Sequence, residues 1–146
     1  IENDESIRVK RTGPLKCANV KTLPYPGFPT DLQPLIVALL ASANGTSIVN
    51  ENVWENRFQY VDELRRMGAN ITVNGRVAVI QGTKHLVGCP VKATDLRAGA
   101  AMVVAGLMAD GETIVNENKY IDRGYEFFEE KLRDLGADIE RIGTED

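Results

Sequence analysis

Two aspartates and two arginines recur at matched places along the chain, and with Arg97 they are the residues here best suited to anion and proton chemistry. Asp31 and Asp95 each follow a threonine and precede a long apolar segment. A carboxylate at a helix start is stabilised by the helix dipole by about 0.3–1 kcal/mol, so plain capping is one reading. The other is a site carboxylate. Ahead of Asp31, Pro24-Tyr-Pro-Gly-Phe-Pro29 packs three prolines, a glycine and two aromatics into six residues. Mere connection does not require so stiff a loop. Arg57 and Arg123 each read as the first residue of a surface-type helix, where the partial positive charge of the helix end opposes a cation. An anion held between the guanidinium and the helix N–H groups resolves that conflict. So does an ion pair with Glu51, Glu55 or Glu117. Arg97 sits on the first turn of an otherwise apolar helix. Trp54 precedes Arg57 in a loop and reads as core packing or as a substrate contact.

Other chemistry is poorly supplied. No nucleophile stands with a base, and His85 reads as a solvated loop residue. P-loop, GxGxxG, HExxH and CxxC patterns are missing, so no cofactor is expected. Two cysteines and one histidine cannot make a four-ligand Cys/His zinc site, so no metal is expected either.

The elements that must position these residues come in two copies. Thr30-Asp31-Leu32-Gln33 recurs as Thr94-Asp95-Leu96-Arg97. Gly45-Thr-Ser-Ile-Val-Asn-Glu-Asn52 recurs as Gly111-Glu-Thr-Ile-Val-Asn-Glu-Asn118. Leu64-Arg-Arg-Met-Gly-Ala-Asn-Ile71 matches Leu132-Arg-Asp-Leu-Gly-Ala-Asp-Ile139. Thr30 and Gln33 form a capping-box pattern for a helix running to about Ala43. A strand is expected over Thr46–Asn50, a helix from near Asn56 to Gly68, and strands Ile71–Val73 and Val77–Ile80 about an Asn74-Gly75-Arg76 turn. The second copy repeats this, with a helix from Thr94 to about Met108, a strand around Thr113–Asn116, a helix from Asp122 to Leu135 and a strand near Ile139. The first helix of each copy is apolar nearly all round and must be enclosed. Strand–helix–strand alternation makes the class α/β (α+β) with a partly parallel sheet.

The 146 residues carry a formal charge of −4, with 43% apolar and 26% charged residues, as in an ordinary globular domain. An acidic chain without a Lys/Arg stripe is a poor nucleic-acid binder. The apolar runs Leu35–Ala41 and Ala98–Ala109 fall short of the roughly 20 residues that span a bilayer. Cys17 and Cys89 are expected as buried, reduced thiols in a cytoplasmic protein. Ile1 in place of Met reads as a processed or truncated start.

Four segments together resemble the UDP-N-acetylglucosamine enolpyruvyl transferase family: Pro24-Tyr-Pro-Gly-Phe-Pro-Thr-Asp-Leu-Gln33, Trp54-Glu-Asn-Arg-Phe58, Ala93-Thr-Asp-Leu-Arg-Ala98 and Ile121-Asp-Arg-Gly-Tyr-Glu126. The resemblance implies βαβαββ-type units of an inside-out barrel. This chain would hold two of the three units of the C-terminal domain, approximately 1–74 and 75–146, with the N-terminal domain missing. It implies transfer of the enolpyruvyl group of phosphoenolpyruvate to the sugar 3-hydroxyl of UDP-N-acetylglucosamine, the committed step of bacterial peptidoglycan synthesis. Asp31 then matches the proposed base at the sugar hydroxyl, and Asp95 a second aspartate near the reacting centre. Val53 matches a main-chain contact to the nucleotide sugar, beside Trp54. Arg97 and Arg123 match arginines that hold phosphoenolpyruvate, and Arg57 a further active-site arginine. The family's reactive lid cysteine and its Lys-Asn contact lie outside the matched segments, and neither Cys17 nor Cys89 takes the cysteine's place. Such a piece is expected to be inactive alone and to self-associate over the uncovered flanks of its buried helices, since exposed apolar area costs roughly 25 cal/mol per Å². Two alternatives stand beside this reading. One is the sister enzyme acting on shikimate phosphate, which normally carries an acid at Trp54 and a lysine at Arg123. The other is a non-catalytic binding module of the same fold.

Overall fold

A computed structural model describes residues 5–143. The first unit runs β1 (Val20–Lys21), a 3₁₀ turn (Thr30–Leu32), α1 (Gln33–Leu40), β2 (Thr46–Asn50), α2 (Val61–Arg66), β3 (Asn70–Asn74) and β4 (Val77–Gln81). This is a complete βαβαββ unit. Strand β1 lies parallel to β2, as a helical crossover requires. Strand β4 inserts between β2 and β3 and is antiparallel to both, giving the order β1-β2-β4-β3. The β3–β4 hairpin turns at Gly75-Arg76, where Gly75 adopts φ +58°, a value that favours glycine. The second unit runs β5 (Pro90–Lys92), α3 (Leu96–Met108), β6 (Ile114–Asn116), α4 (Lys119–Asp122) and α5 (Phe128–Asp134), with β5 parallel to β6.

The two apolar helices pack on each other at the centre. Val37 and Ala38 of α1 and Ala98, Ala101, Met102 and Ala105 of α3 are fully buried in one cluster with Val49, Ala78 and Ile80 of the sheet. Gly99 lets α3 close on its neighbours: a Cβ there would stand 2.7 Å from Ile121 and 2.9 Å from Ala93. Enclosure is one-sided, however. Leu32 and Leu107 are 44% and 42% exposed, and Leu35, Ile36 and Leu39 are half-buried.

Several expectations need correction. Thr30 does not cap α1; its hydroxyl turns to Glu51 instead. Asp95, not Thr94, caps α3, accepting from the Ala98 N–H at 2.9 Å. The helix expected from Asn56 begins at Val61, because Asn56 sits at φ +52° and breaks any helix through it. The helix expected over Asp122–Leu135 is divided into α4 and α5, with Phe127 at φ +47° between them. Residues around Ile139 form no strand. Cys17 is exposed and Cys89 half-buried, and both are free.

The C-terminal segment is held by an ion-pair clamp. Arg141 donates to Asp122 at 2.7 and 3.0 Å and to Glu129 at 2.7 and 3.1 Å. Hydrogen bonds from Arg141, then from its own backbone, hold the Glu129 carboxyl down to about 2, against an ordinary 4.5. A carboxyl lowered on folding stabilises the fold fully above its unfolded value and loses that contribution as the group is protonated. The clamp is therefore expected to weaken as pH falls from about 4.5 toward 2. Arg141 is partly exposed, so the contribution is about 0.2–1 kcal/mol. Denaturant melts of the wild type and Arg141→Ala check this: their difference should shrink across that window.

Candidate functional site

The N-terminal ends of α1 and α3 meet, and three of the singled-out side chains meet there. Asp31, in the 3₁₀ turn, accepts from Arg57 Nη2 at 3.3 Å through Oδ1 and from Arg97 Nη2 at 3.1 Å through Oδ2. One carboxylate thus joins an arginine from its own unit to an arginine from the second. Arg97 also donates from Nη1 to the Tyr125 hydroxyl at 3.0 Å and lies 5.5 Å from that ring's centroid. The Tyr125 hydrogen bond first, with smaller help from Asp31, raises the Arg97 guanidinium against a modest desolvation. The Arg57 side chain is 18% exposed and Arg97 33%, while Asp31 remains half-open at 52%. The capping reading thus fails for Asp31. For Asp95 it holds, and Asp95 stands two residues before Arg97.

Arg57 pairs with Asp31 rather than Glu51, Glu55 or Glu117, and it lies in a turn, not at a helix start. Arg123 follows α4 as its C-cap, the end where the dipole favours a cation. The supposed dipole conflict therefore does not arise at either arginine. Arg123 stands 5.4 Å from the Tyr120 ring centroid, and no hydrogen bond or ion pair among the described residues links it to Asp31. Trp54 is 57% exposed and Val53 40%, which removes Trp54 from the core.

The sequence reading missed the residue that holds this arrangement. Glu51, 1% exposed, ends the strand β2 region and gathers four donors. The Thr22 hydroxyl donates to Oε2 in a short contact, and the Thr30 hydroxyl to Oε1 at 2.7 Å. The N–H groups of Val53 and Trp54 donate to Oε2 at 3.2 and 3.5 Å. Thr22 and Thr30 bracket the Pro24–Pro29 loop, so one carboxylate ties both ends of that loop to the Val53-Trp54 turn.

A second buried polar pair lies behind Arg57. The Tyr60 hydroxyl donates to Gln33 Oε1 at 2.6 Å, and burial, then Glu51, pushes the phenol well up. Gln33 Nε2 has no partner among the described residues. Tyr60→Phe leaves the whole Gln33 amide without a partner, and a buried unsatisfied group costs about 1–3 kcal/mol. Stability should fall by about that amount in denaturant unfolding, and Tyr60→Phe with Gln33→Leu should recover part of it.

No group of His, Cys, Asp and Glu among the described residues is arranged to hold a metal ion. Among the described residues no helix is long and apolar enough to cross a membrane.

Comparison with known proteins places this geometry. Residues 1–132 match the family model "EPSP synthase (3-phosphoshikimate 1-carboxyvinyltransferase)". The chain is 61% identical over 143 residues to UDP-N-acetylglucosamine 1-carboxyvinyltransferase 1 of Clostridium perfringens, covering 97% of this chain and 34% of that protein. It is 57% identical over 140 residues to the enzyme of the same name from Desulfofundulus thermocisternus, covering 96% of this chain and 58% of that one. Among solved structures, the enolpyruvyl transferase NikO from Streptomyces tendae aligns with TM-score 0.81 at 34% identity over 92% of this chain and 31% of that one. EPSP synthase from Acinetobacter baumannii aligns with TM-score 0.64 at 21% identity over 90% of this chain and 30% of that one, a likeness of fold. The βαβαββ unit and its partner are thus the enolpyruvyl transferase fold. The chain belongs to the EPSP synthase family. It spans about a third of the length of the Clostridium relative.

Proposed function

We propose that this chain forms one wall of the active site of a UDP-N-acetylglucosamine 1-carboxyvinyltransferase, the other wall lying in a further domain. The observation that carries the reading is the Asp31 carboxylate set between Arg57 and Arg97. The relatives named for this activity reach 61% identity, whereas the shikimate-type enzymes share the fold at 21–23%. Trp54 and Arg123 stand where the shikimate branch would have an acid and a lysine, which further favours this reading.

The chemistry follows from the residue types. Phosphoenolpyruvate carries a phosphate and a carboxylate, and planar, permanently charged arginines suit both. Arg97 and Arg57 hold the anion beside the starts of α1 and α3, where backbone N–H groups add to the attraction. The sugar 3-hydroxyl attacks the enol carbon and passes its proton to Asp31, while a separate general acid on the opposite wall of the cleft supplies the proton that the methylene carbon gains. The tetrahedral adduct then loses a methyl proton and expels phosphate, with the arginines facing the developing charge. Val53 and Trp54, exposed beside the Glu51 anchor, are assigned to the nucleotide sugar. Arg123 and Asp95 are assigned to phosphoenolpyruvate and the reacting centre on their family motifs alone.

The boundary expected near 74/75 would cut the β3–β4 hairpin, so the unit division is proposed instead to fall between β4 and β5, the point where the first βαβαββ set ends. The role belongs to peptidoglycan synthesis in the cytoplasm, and through it to cell-wall growth and division. The half-exposed flank of α1 and α3 is proposed to drive self-association, which light scattering would report. The isolated 146-residue chain is expected to release no phosphate from the two substrates, and a full-length protein carrying this sequence is expected to do so. Turnover by the isolated chain would sink the reading, because a cleft needs both walls.

A further inference from the structure

The start of the apolar helix meets a tyrosine in each unit. Gln33 and Arg97 hold matched places, in Thr30-Asp31-Leu32-Gln33 and Thr94-Asp95-Leu96-Arg97. Each is bonded to a tyrosine that follows the arginine of its own unit, Tyr60 after Arg57 and Tyr125 after Arg123. In the first unit the pair is sealed in the core. Gln33 and Tyr60 are both buried, and the hydroxyl donates. In the second unit the pair stands at the site. Arg97 and Tyr125 are half-buried, and the hydroxyl accepts from the guanidinium at 3.0 Å. One framework contact thus closes a core in one unit and holds a cation in the other.

The Tyr125 ring is itself fixed. It packs on Phe128, with ring centroids 4.9 Å apart, beside the cluster of Ala93, Val103 and Ile121. Gly124 lets this segment close on α3: a Cβ there would stand 2.7 Å from the side chain of Leu96, the neighbour of Arg97. On either side of Tyr125, Asp122 and Glu129 are both tied to Arg141. The hydroxyl is therefore an anchored acceptor, whereas Asp31, the other partner of Arg97, is half-open.

The type of acceptor matters. A second carboxylate on Arg97 would orient it, but would also cancel its charge and compete with an anionic substrate. A phenol hydroxyl orients the guanidinium and leaves the charge in place. Nη1 is held by Tyr125 and Nη2 by Asp31, which sets the plane of the group, and further N–H donors remain for an anion. A planar fork held in advance loses less freedom when it takes up its ligand.

We propose that Tyr125 is a positioning residue of the site: through its hydroxyl it aims Arg97 at phosphoenolpyruvate without neutralising it. The inference rests on the transferase reading above and adds a residue to which that reading gives no role.

Steady-state kinetics on a full-length protein carrying this sequence tests it, with the variants Tyr125→Phe and Arg97→Ala. Phenylalanine keeps the ring and its packing on Phe128, so Tm should move by no more than about 2 °C. KM for phosphoenolpyruvate should rise about tenfold in Tyr125→Phe, while kcat changes by less than about threefold and KM for UDP-N-acetylglucosamine by less than about twofold. Arg97→Ala should show the same pattern at larger size. A fall in Tm or kcat with both KM values kept would make Tyr125 a core residue like Tyr60 and overturn the proposal. Wild-type kinetics in Tyr125→Phe would overturn it too, as would an equal rise in both KM values. An unchanged KM for phosphoenolpyruvate in Arg97→Ala would instead remove Arg97 from the anion site. Absence of turnover in the wild type would remove the transferase reading, and this inference with it.

Discussion

Asp31→Ala in a full-length protein carrying this sequence is expected to lower kcat by about 10²–10⁴-fold, the usual contribution of a positioned proton acceptor. Asp31 also restrains Arg57 and Arg97, at 3.3 and 3.1 Å, so the alanine variant alone does not separate base from positioning group. Asp31→Asn does. Its side-chain oxygen can still accept from one arginine, but it cannot take a proton in the working pH range. If Asp31 is the base, the asparagine variant falls nearly as far as alanine. If Asp31 only positions the arginines, asparagine retains most of the rate and KM for phosphoenolpyruvate shifts instead. Unchanged kcat in both variants would remove Asp31 from the reaction.

Much of the architecture was readable because local signals and long-range order agree. The matched segments exposed the repeat, and the Asn74-Gly75-Arg76 turn placed the β3–β4 hairpin where it stands. The all-round apolar helices could only be central, and α1 and α3 are. The failures have two causes. Arg57 and Arg123 were read as helix starts from hydrophobic periodicity, but Asn56 and Phe127 take left-handed conformations that periodicity does not reveal. The expected strand at Ile139 has strand-like residues, yet among the described residues no strand pairs with it. A strand is a property of two segments, and one segment shows only half of it.

The site was legible in its charged groups and opaque in its support. Asp31, Arg57 and Arg97 were named from type and position, and they converge. Glu51 was noted only as a possible arginine partner. It lies in an Asn-Glu-Asn motif that recurs at Glu117, and there the glutamate is exposed and paired with Lys119 at 2.8 Å. The same three residues thus have opposite fates. What differs is Thr22, whose counterpart is Ala93, and the loop that carries Thr30 round to Glu51, both over twenty residues away in the chain. The one available signal was that two threonines bracket the proline-rich loop in the first unit, while the second unit has no such loop.

Glu51→Ala is expected to be the most damaging single change to the fold. It removes the acceptor of the buried Thr22 hydroxyl, of the half-buried Thr30 hydroxyl and of the partly buried N–H groups of Val53 and Trp54 together. Unsatisfied buried donors cost about 1–3 kcal/mol each, but relaxation lets some find water, so a total of roughly 3–5 kcal/mol is expected. For a chain of this size that corresponds to a fall in Tm of about 10 °C or more. Glu51→Gln should not rescue it fully, because its amide N–H₂ would face donors where Oε2 now accepts. The functional loss should exceed the loss of folded protein. Thr30 is anchored by Glu51 and adjoins Asp31, so freeing the loop moves the carboxylate off its position between the arginines. A displacement of about 1 Å at a reacting centre can cost on the order of 10²-fold. Measured in a full-length protein well below its melting point, Glu51→Ala should therefore lower kcat while the remaining fold is intact by circular dichroism. Normal turnover in a folded Glu51→Ala protein would show that the loop holds Asp31 without this anchor.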